Sequence, residues 1–127
     1  MTKPTPPNAL THGERLRTIG AIKRLFEQGR GGFVYPIRYV WLAETSESTS
    51  AEVLFTVPKK FHKRANKRNT LRRRVKEAYR LQKSMILEGE SPRDLDIALI
   101  YSTKEVHSYK TIHNAIRKIL EQIAQSN

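Results

Sequence analysis

A mixed α/β (α+β) fold, a small sheet packed by helices, is predicted for this chain of 127 residues by three observations. Apolar residues recur at helical intervals over residues 16–26 and again over 106–123. Short apolar runs bounded by Pro, Ser and Asp read as strands over 37–42, 51–57 and 96–101. Between the second and third of these lies a basic segment whose apolar residues again fall at helical spacing. The predicted order is α-β-β-α-β-α in one small domain, since a chain of this length suits a single modest core.

Residues 1–10 hold three of the six prolines and little to bury, so a mobile tail is expected ahead of a domain spanning 11–127. Thr11 and Glu14 have the spacing of a capping box. Leu16, Ile19, Ile22, Leu25 and Phe26 follow on one helical face, with Gly29 placed as the C-cap. Gly31-Gly32 reads as a loose connection, and Pro36 forces the residue before it to be extended. In the strand 37–42, Ile37, Tyr39 and Trp41 share one face and Arg38, Val40 and Leu42 the other. The polar, acidic stretch 44–50 suggests a hairpin connection to the strand 51–57, which Pro58 ends.

Residues 59–83 carry twelve of the 24 Lys and Arg and a single acid, Glu77, in a molecule of net charge +12. On a helix, Leu71, Val75, Ala78, Tyr79, Met85 and Ile86 fall on one side, and Asn69, Arg73, Lys76, Arg80 and Lys83 on another. A disordered tail has no reason to encode two such faces. A rigid helix with cations in register suits a phosphate backbone, whose condensed counterions are released on binding. Arginine adds a planar fork that grips phosphate with two hydrogen bonds. Lys59 and Lys60 arrive beside the N-terminus of this helix, where free amides also favour phosphate. Residues 89–92 are expected to end it.

The continuous apolar run 96–101 reads as a central strand covered on both faces, which makes strand, basic helix and strand a crossover unit. Ser102 to Glu105 has the spacing of a second capping box. Val106, Tyr109, Ile112, Ile116, Ile119, Leu120 and Ile123 form the apolar stripe of a final helix.

Several function classes are excluded. With no cysteine the chain has neither a disulfide framework nor a thiolate metal site, and it suits a reducing cytoplasm. No apolar run nears the roughly 20 residues that span a bilayer, and residues 1–7 lack the apolar core of a signal peptide. A soluble, cytoplasmic protein is therefore expected. His12, His62, His107 and His113 lack metal-ligand spacing and read as surface or capping residues. Asp94 and Asp96 have no third partner, and no phosphate-binding Gly-rich loop is present. No catalytic residue and no metal ligand is expected on the protein.

Thr56-Val57-Pro58-Lys59-Lys60, followed by the run from Ala65 to Tyr79, resembles the signature of the bacterial ribonuclease P protein subunit. That signature is a strand ending in Lys-Lys, a short loop, then a helix opening on Arg-Asn-Arg. Arg68 and Asn69 match its first two positions; Thr70 stands where a third Arg is usual, and Arg72 or Arg73 supplies the charge instead. The likeness covers residues 12–125. It implies a left-handed β-α-β crossover, against the usual hand. It also implies that the protein is a non-catalytic subunit of an endoribonuclease that removes the 5′ leader of precursor tRNA. The RNA subunit would carry catalysis, and Mg²⁺ would be bound chiefly by that RNA and the substrate. The partners are then ribonuclease P RNA and precursor tRNA, with no membrane and no obligate protein partner. RNA contact is expected from Lys59, Lys60, Lys63, Arg64, Lys67, Arg68, Asn69, Arg72, Arg73, Lys76 and Arg80. Ile22 and Phe26 stand where the family carries aromatics that line a cleft for the leader. The face carrying Tyr39 and Trp41 either completes that groove or is buried. The alternative function is a structural ribosomal or RNA-assembly protein with no processing role. A DNA-binding basic zipper would need heptads after the basic region, and residues 89–92 interrupt them.

Overall fold

A computed structural model describes residues 19–45, 47, 49–87 and 93–125. The tail 1–10, the capping pair Thr11 and Glu14, Leu16, His12 and the helix stop at 89–92 lie outside the described residues.

The elements are α1 (Ile19–Gln28), β1 (Arg30–Val34), β2 (Ile37–Thr45), β3 (Ser50–Thr56), α2 (Ala65–Gln82), the single turn α3 (Ser84–Leu87), β4 (Arg93–Tyr101) and α4 (Tyr109–Gln125). They form one small α+β domain around a four-stranded mixed sheet of order β1-β2-β4-β3. β4 is the central strand, antiparallel to β2 and parallel to β3. Its apolar residues are buried on both faces, Leu95, Ile97, Leu99 and Tyr101 on one and Ala98 on the other. The helix α2 connects the parallel neighbours β3 and β4 as the expected crossover.

Three local expectations change. First, 44–50 is not a hairpin connection: β4, a strand apolar on both faces, lies between β2 and β3. Second, the Gly31-Gly32 segment is not loose but is strand β1, paired with β2 so that Gly32 faces Tyr39. A Cβ at Gly32 would lie 2.5 Å from Tyr39 Cζ, so the glycine admits the tyrosine ring. Third, the last helix begins at Tyr109 rather than in the Ser102–Glu105 capping box. Ser108 caps it, its Oγ accepting from Thr111 N at 3.3 Å, and Val106 is exposed.

Gly29 has a different reason from a left-handed cap. Its N–H closes the last turn of α1 on Leu25 O at 2.8 Å, and no described glycine has positive φ. A Cβ there would meet Val40 Cγ1 at 2.8 Å and Trp41 O at 2.9 Å, so α1 can turn into β1 against β2 only with glycine.

The main core lies on one side of the sheet. Leu71, Val75, Ala78 and Tyr79 of α2, Ile86 of α3, and Ile112, Ile116, Ile119, Leu120 and Ile123 of α4 pack there against Ile37, Tyr39, Trp41, Val53, Phe55, Ile97 and Leu99. The opposite side is covered more thinly by α1, whose Leu25 is buried with Ala98 against Ile22, Val40, Leu42 and Leu54.

Candidate nucleic-acid interface

The basic surface begins where β3 ends. Pro58 O accepts from Phe61 N at 3.1 Å and His62 N at 3.3 Å, which folds residues 58–62 into a turn. His62 pins this turn from within: it is 5 % exposed, its Nε2 lies 2.8 Å from Thr103 O, and its ring is 5.7 Å from that of Tyr101. The expectation of a surface or capping histidine fails here because the turn is anchored to the loop after β4. Lys59 and Lys60 remain exposed on it, with Lys60 Nζ 5.0 Å from the Phe61 ring.

The side chain of Arg64, the N-cap of α2, bonds none of the first-turn amides, of which Lys67 N donates to Asn66 Oδ1 at 2.9 Å, and no acid sits there. Those amides, with Lys63, Arg64 and Lys67 exposed around them, leave a positive helix terminus. Arg68 is half-buried, and its Nη1 donates to His62 O at 3.1 Å and Lys63 O at 2.8 Å. Arg68 thus ties the loop to the helix as well as adding charge. Thr70, where the family's third Arg is usual, turns back to Asn66 O at 3.0 Å.

Farther along α2 the predicted faces separate as expected. Leu71, Val75, Ala78 and Tyr79 are buried, while Asn69 and Arg73 are exposed. Arg72 leans on Asn69 Oδ1 at 3.4 Å. Lys76 is half-buried, its Nζ 5.9 Å from the Phe55 ring at the edge of the sheet. Arg80 grips Glu77 with both ends of its fork, Nε to Oε2 at 3.0 Å and Nη2 to Oε1. This hydrogen bonding holds the Glu77 carboxyl below the usual range and partly neutralises Arg80. Lys83 departs from the expected charged face. It is 5 % exposed, in the turn where α2 gives way to α3. Arg74 is spent inside the fold, donating to His107 O at 2.6 Å.

The sheet surface beside α1 does not hold the four groove residues together. Tyr39 and Trp41 are buried in the main core, with Tyr39 OH donating to Gln122 of α4, so they face away from α1. Strand alternation places Arg38, Val40 and Leu42 on the α1 side in their stead. Ile22 is half-buried against that side and Phe26 is 47 % exposed. The far end of the same surface is acidic. Glu52 pairs with Asp96 across β3–β4, Ser50 Oγ donates to Asp94 at 2.6 Å, and Arg24 bridges to Glu44. Burial and mutual repulsion raise the Glu52 carboxyl, and burial raises that of Asp96. Among the described residues no three His, Asp or Glu converge as ligands of a metal. No described helix is long and apolar enough to cross a membrane.

Sequence reasoning missed the aromatic rings at the β1–β2 turn. Phe33 and Tyr35 are 48 % and 50 % exposed there, beside Arg38. The alternation of Phe33 and Tyr35 ahead of Pro36 was the available signal.

The family profile described as Ribonuclease P matches residues 10–124. A protein of Porphyromonas gingivalis named Ribonuclease P protein component is 35% identical over 127 residues, covering 98% of this chain and 92% of that relative. The like-named protein of Chlorobaculum tepidum is 33% identical over 128 residues, covering 91% of this chain and 83% of its own. In fold, the RNase P protein of Thermotoga maritima superposes with a TM-score of 0.69 at 24% identity, over 87% of this chain and 97% of that one. That of Staphylococcus aureus gives 0.67 at 19% identity, over 91% and 93%.

Proposed function

Because this chain belongs to the ribonuclease P protein family, we propose that it is the protein subunit that serves ribonuclease P RNA in removing the 5′ leader of precursor tRNA in the cytoplasm. The observation that carries this reading is the basic face of α2, held rigid by its buried opposite face and joined to the exposed Lys59, Lys60, Lys63, Arg64 and Lys67. Such a surface offsets phosphate repulsion between two RNA molecules that must approach closely. Phosphodiester hydrolysis and the Mg²⁺ it needs belong to the RNA. The protein's cations lower the Mg²⁺ needed to bring substrate and ribozyme together. The leader lies along the sheet surface beside α1, where Phe26 offers an exposed ring and Ile22 an apolar flank.

The test is reconstitution of purified protein with a bacterial ribonuclease P RNA and precursor tRNA at low Mg²⁺. Cleavage is expected only with the RNA present, at an Mg²⁺ concentration where the RNA alone is slow. Phe26→Ala is expected to reduce the preference for precursor over mature tRNA. Site-specific cleavage by RNA-free protein, or no effect of the protein at any Mg²⁺ concentration, overturns the reading.

A further inference from the structure

The hairpin β1–β2 ends in rings that the fold does not bury. Phe33 and Tyr35 lie with centroids 6.2 Å apart and tilted 45°. Tyr35 is held from below: its hydroxyl lies 3.0 Å from His107 Nε2 and 3.3 Å from Thr103 Oγ1, and donates to Glu105 Oε2 at 3.3 Å. Its ring meets His107 edge-on at 5.1 Å. An exposed ring fixed in this way has already lost the rotamer freedom that binding would otherwise cost. The Glu105 carboxylate is taken up between the Tyr35 hydroxyl and His107 Nε2, the latter at 3.5 Å.

Charge surrounds the pair on the side away from the core. Arg38 Cζ is 5.8 Å from the Phe33 ring, and the cross-strand partners Phe33, Arg38, Ile100 and Thr56 form one row across the sheet. That row ends where the chain leaves β3 for Lys59 and Lys60. The opposite end of the same surface carries Glu44, Glu52, Asp94 and Asp96, which repel phosphate.

We infer that Phe33 and Tyr35, with Arg38, form a stacking platform for unpaired bases of single-stranded RNA, on the α1 side of the sheet at the end that runs into the Lys59–Lys60 turn. The inference rests on the reading of this protein as an RNA-binding subunit and adds a base-contacting site to it. Stacking on aromatic faces is tolerant of sequence, so the platform selects unpaired over paired strands rather than one base over another.

The experiment uses the full chain and a short single-stranded RNA bearing 2-aminopurine, whose fluorescence is quenched on stacking. The wild type is expected to quench it. Phe33→Leu keeps apolar volume and removes the π face, and Tyr35→Ala removes the other ring. Together they are expected to abolish the quench and weaken single-strand binding roughly tenfold or more, the factor carried by one lost base stack. Affinity for a duplex RNA of equal length should be unchanged, as should the thermal midpoint of Phe33→Leu alone. Unchanged quench and affinity in the double variant overturn the platform while leaving the subunit reading intact. A wild type that binds neither strand nor duplex overturns both. Holoenzymes made with precursors of full and absent leader identify the strand. A defect confined to the leader-bearing precursor assigns it to substrate, and one common to both assigns it to the ribozyme RNA.

Discussion

Glu52 and Asp96 show how single charges are set by position. They face each other across the parallel β3–β4 pair on the side that α1 partly covers. The Glu52 carboxyl is raised above its ordinary value of 4.5 first by burial, then by Asp96 and Asp94. A carboxyl whose pKa is higher folded than unfolded favours the fold while protonated, and that contribution is lost as pH rises from the ordinary value through the folded one. Glu52→Gln is therefore expected to raise the melting midpoint at pH 7, with the gain shrinking as pH falls through the raised folded value toward 4.5, where it is lost. Melts across that range check it, and a gain independent of pH refutes it. The basic helix makes a second contrast at this scale. Arg73→Ala should weaken RNA binding with little change in stability, since exposed cations contribute little to folding. Leu71→Ala should cost about 2–4 kcal/mol, that side chain being wholly buried. The sequence alone places Arg68 with Arg73. Its two bonds to the loop carbonyls of His62 and Lys63 mean that Arg68→Ala should lower both affinity and midpoint, which denaturation beside filter binding resolves.

Among the elements, α2 was the most legible from sequence because its two faces differ in kind: Leu71, Val75, Ala78 and Tyr79 against Asn69 and Arg73. With about five phosphates neutralised, log affinity against log salt should fall with a slope of roughly −3 to −5. A titration series with flat affinity excludes this face as the binding surface. β4 was legible as the central strand for a similar reason, a run apolar on both faces. β1 was not, since two of its five residues are glycines, which signal looseness in most settings. Here they make room for Tyr39, a partner the local sequence does not announce. The same blindness left Tyr39 and Trp41 undecided between groove and core. Alternation along β2 separates its two faces but not which one α4 covers, and that depends on residues about 80 positions away. His62, read as a surface or capping residue, is buried instead because its partner is the carbonyl of Thr103, across the sheet's end.

At the scale of the whole molecule, binding and folding share one element. α2 carries the cations and also packs against α4 and the sheet, so it cannot open locally without exposing the main core. RNA that grips α2 should therefore stabilise the entire domain, by about 2.7 kcal/mol at a free concentration one hundred times the dissociation constant. A single melting transition that moves upward with added RNA is expected. A separate early transition would mean that α2 is only loosely attached.

The central position of β4 also bears on how the protein is made. β2 and β3 are not partners of each other; β2 already has β1 beside it, but the neighbour it shares with β3 is a strand synthesised after the basic helix. Synthesis proceeds at about 5–20 residues per second, and domains fold as units. The ribosome therefore releases Lys59 to Arg80 seconds before residues 93–101 can organise them. For that interval the nascent chain is a polycation without a shape, attracted to any phosphate within reach. Discrimination begins when the last strand slides between two that have been waiting for it.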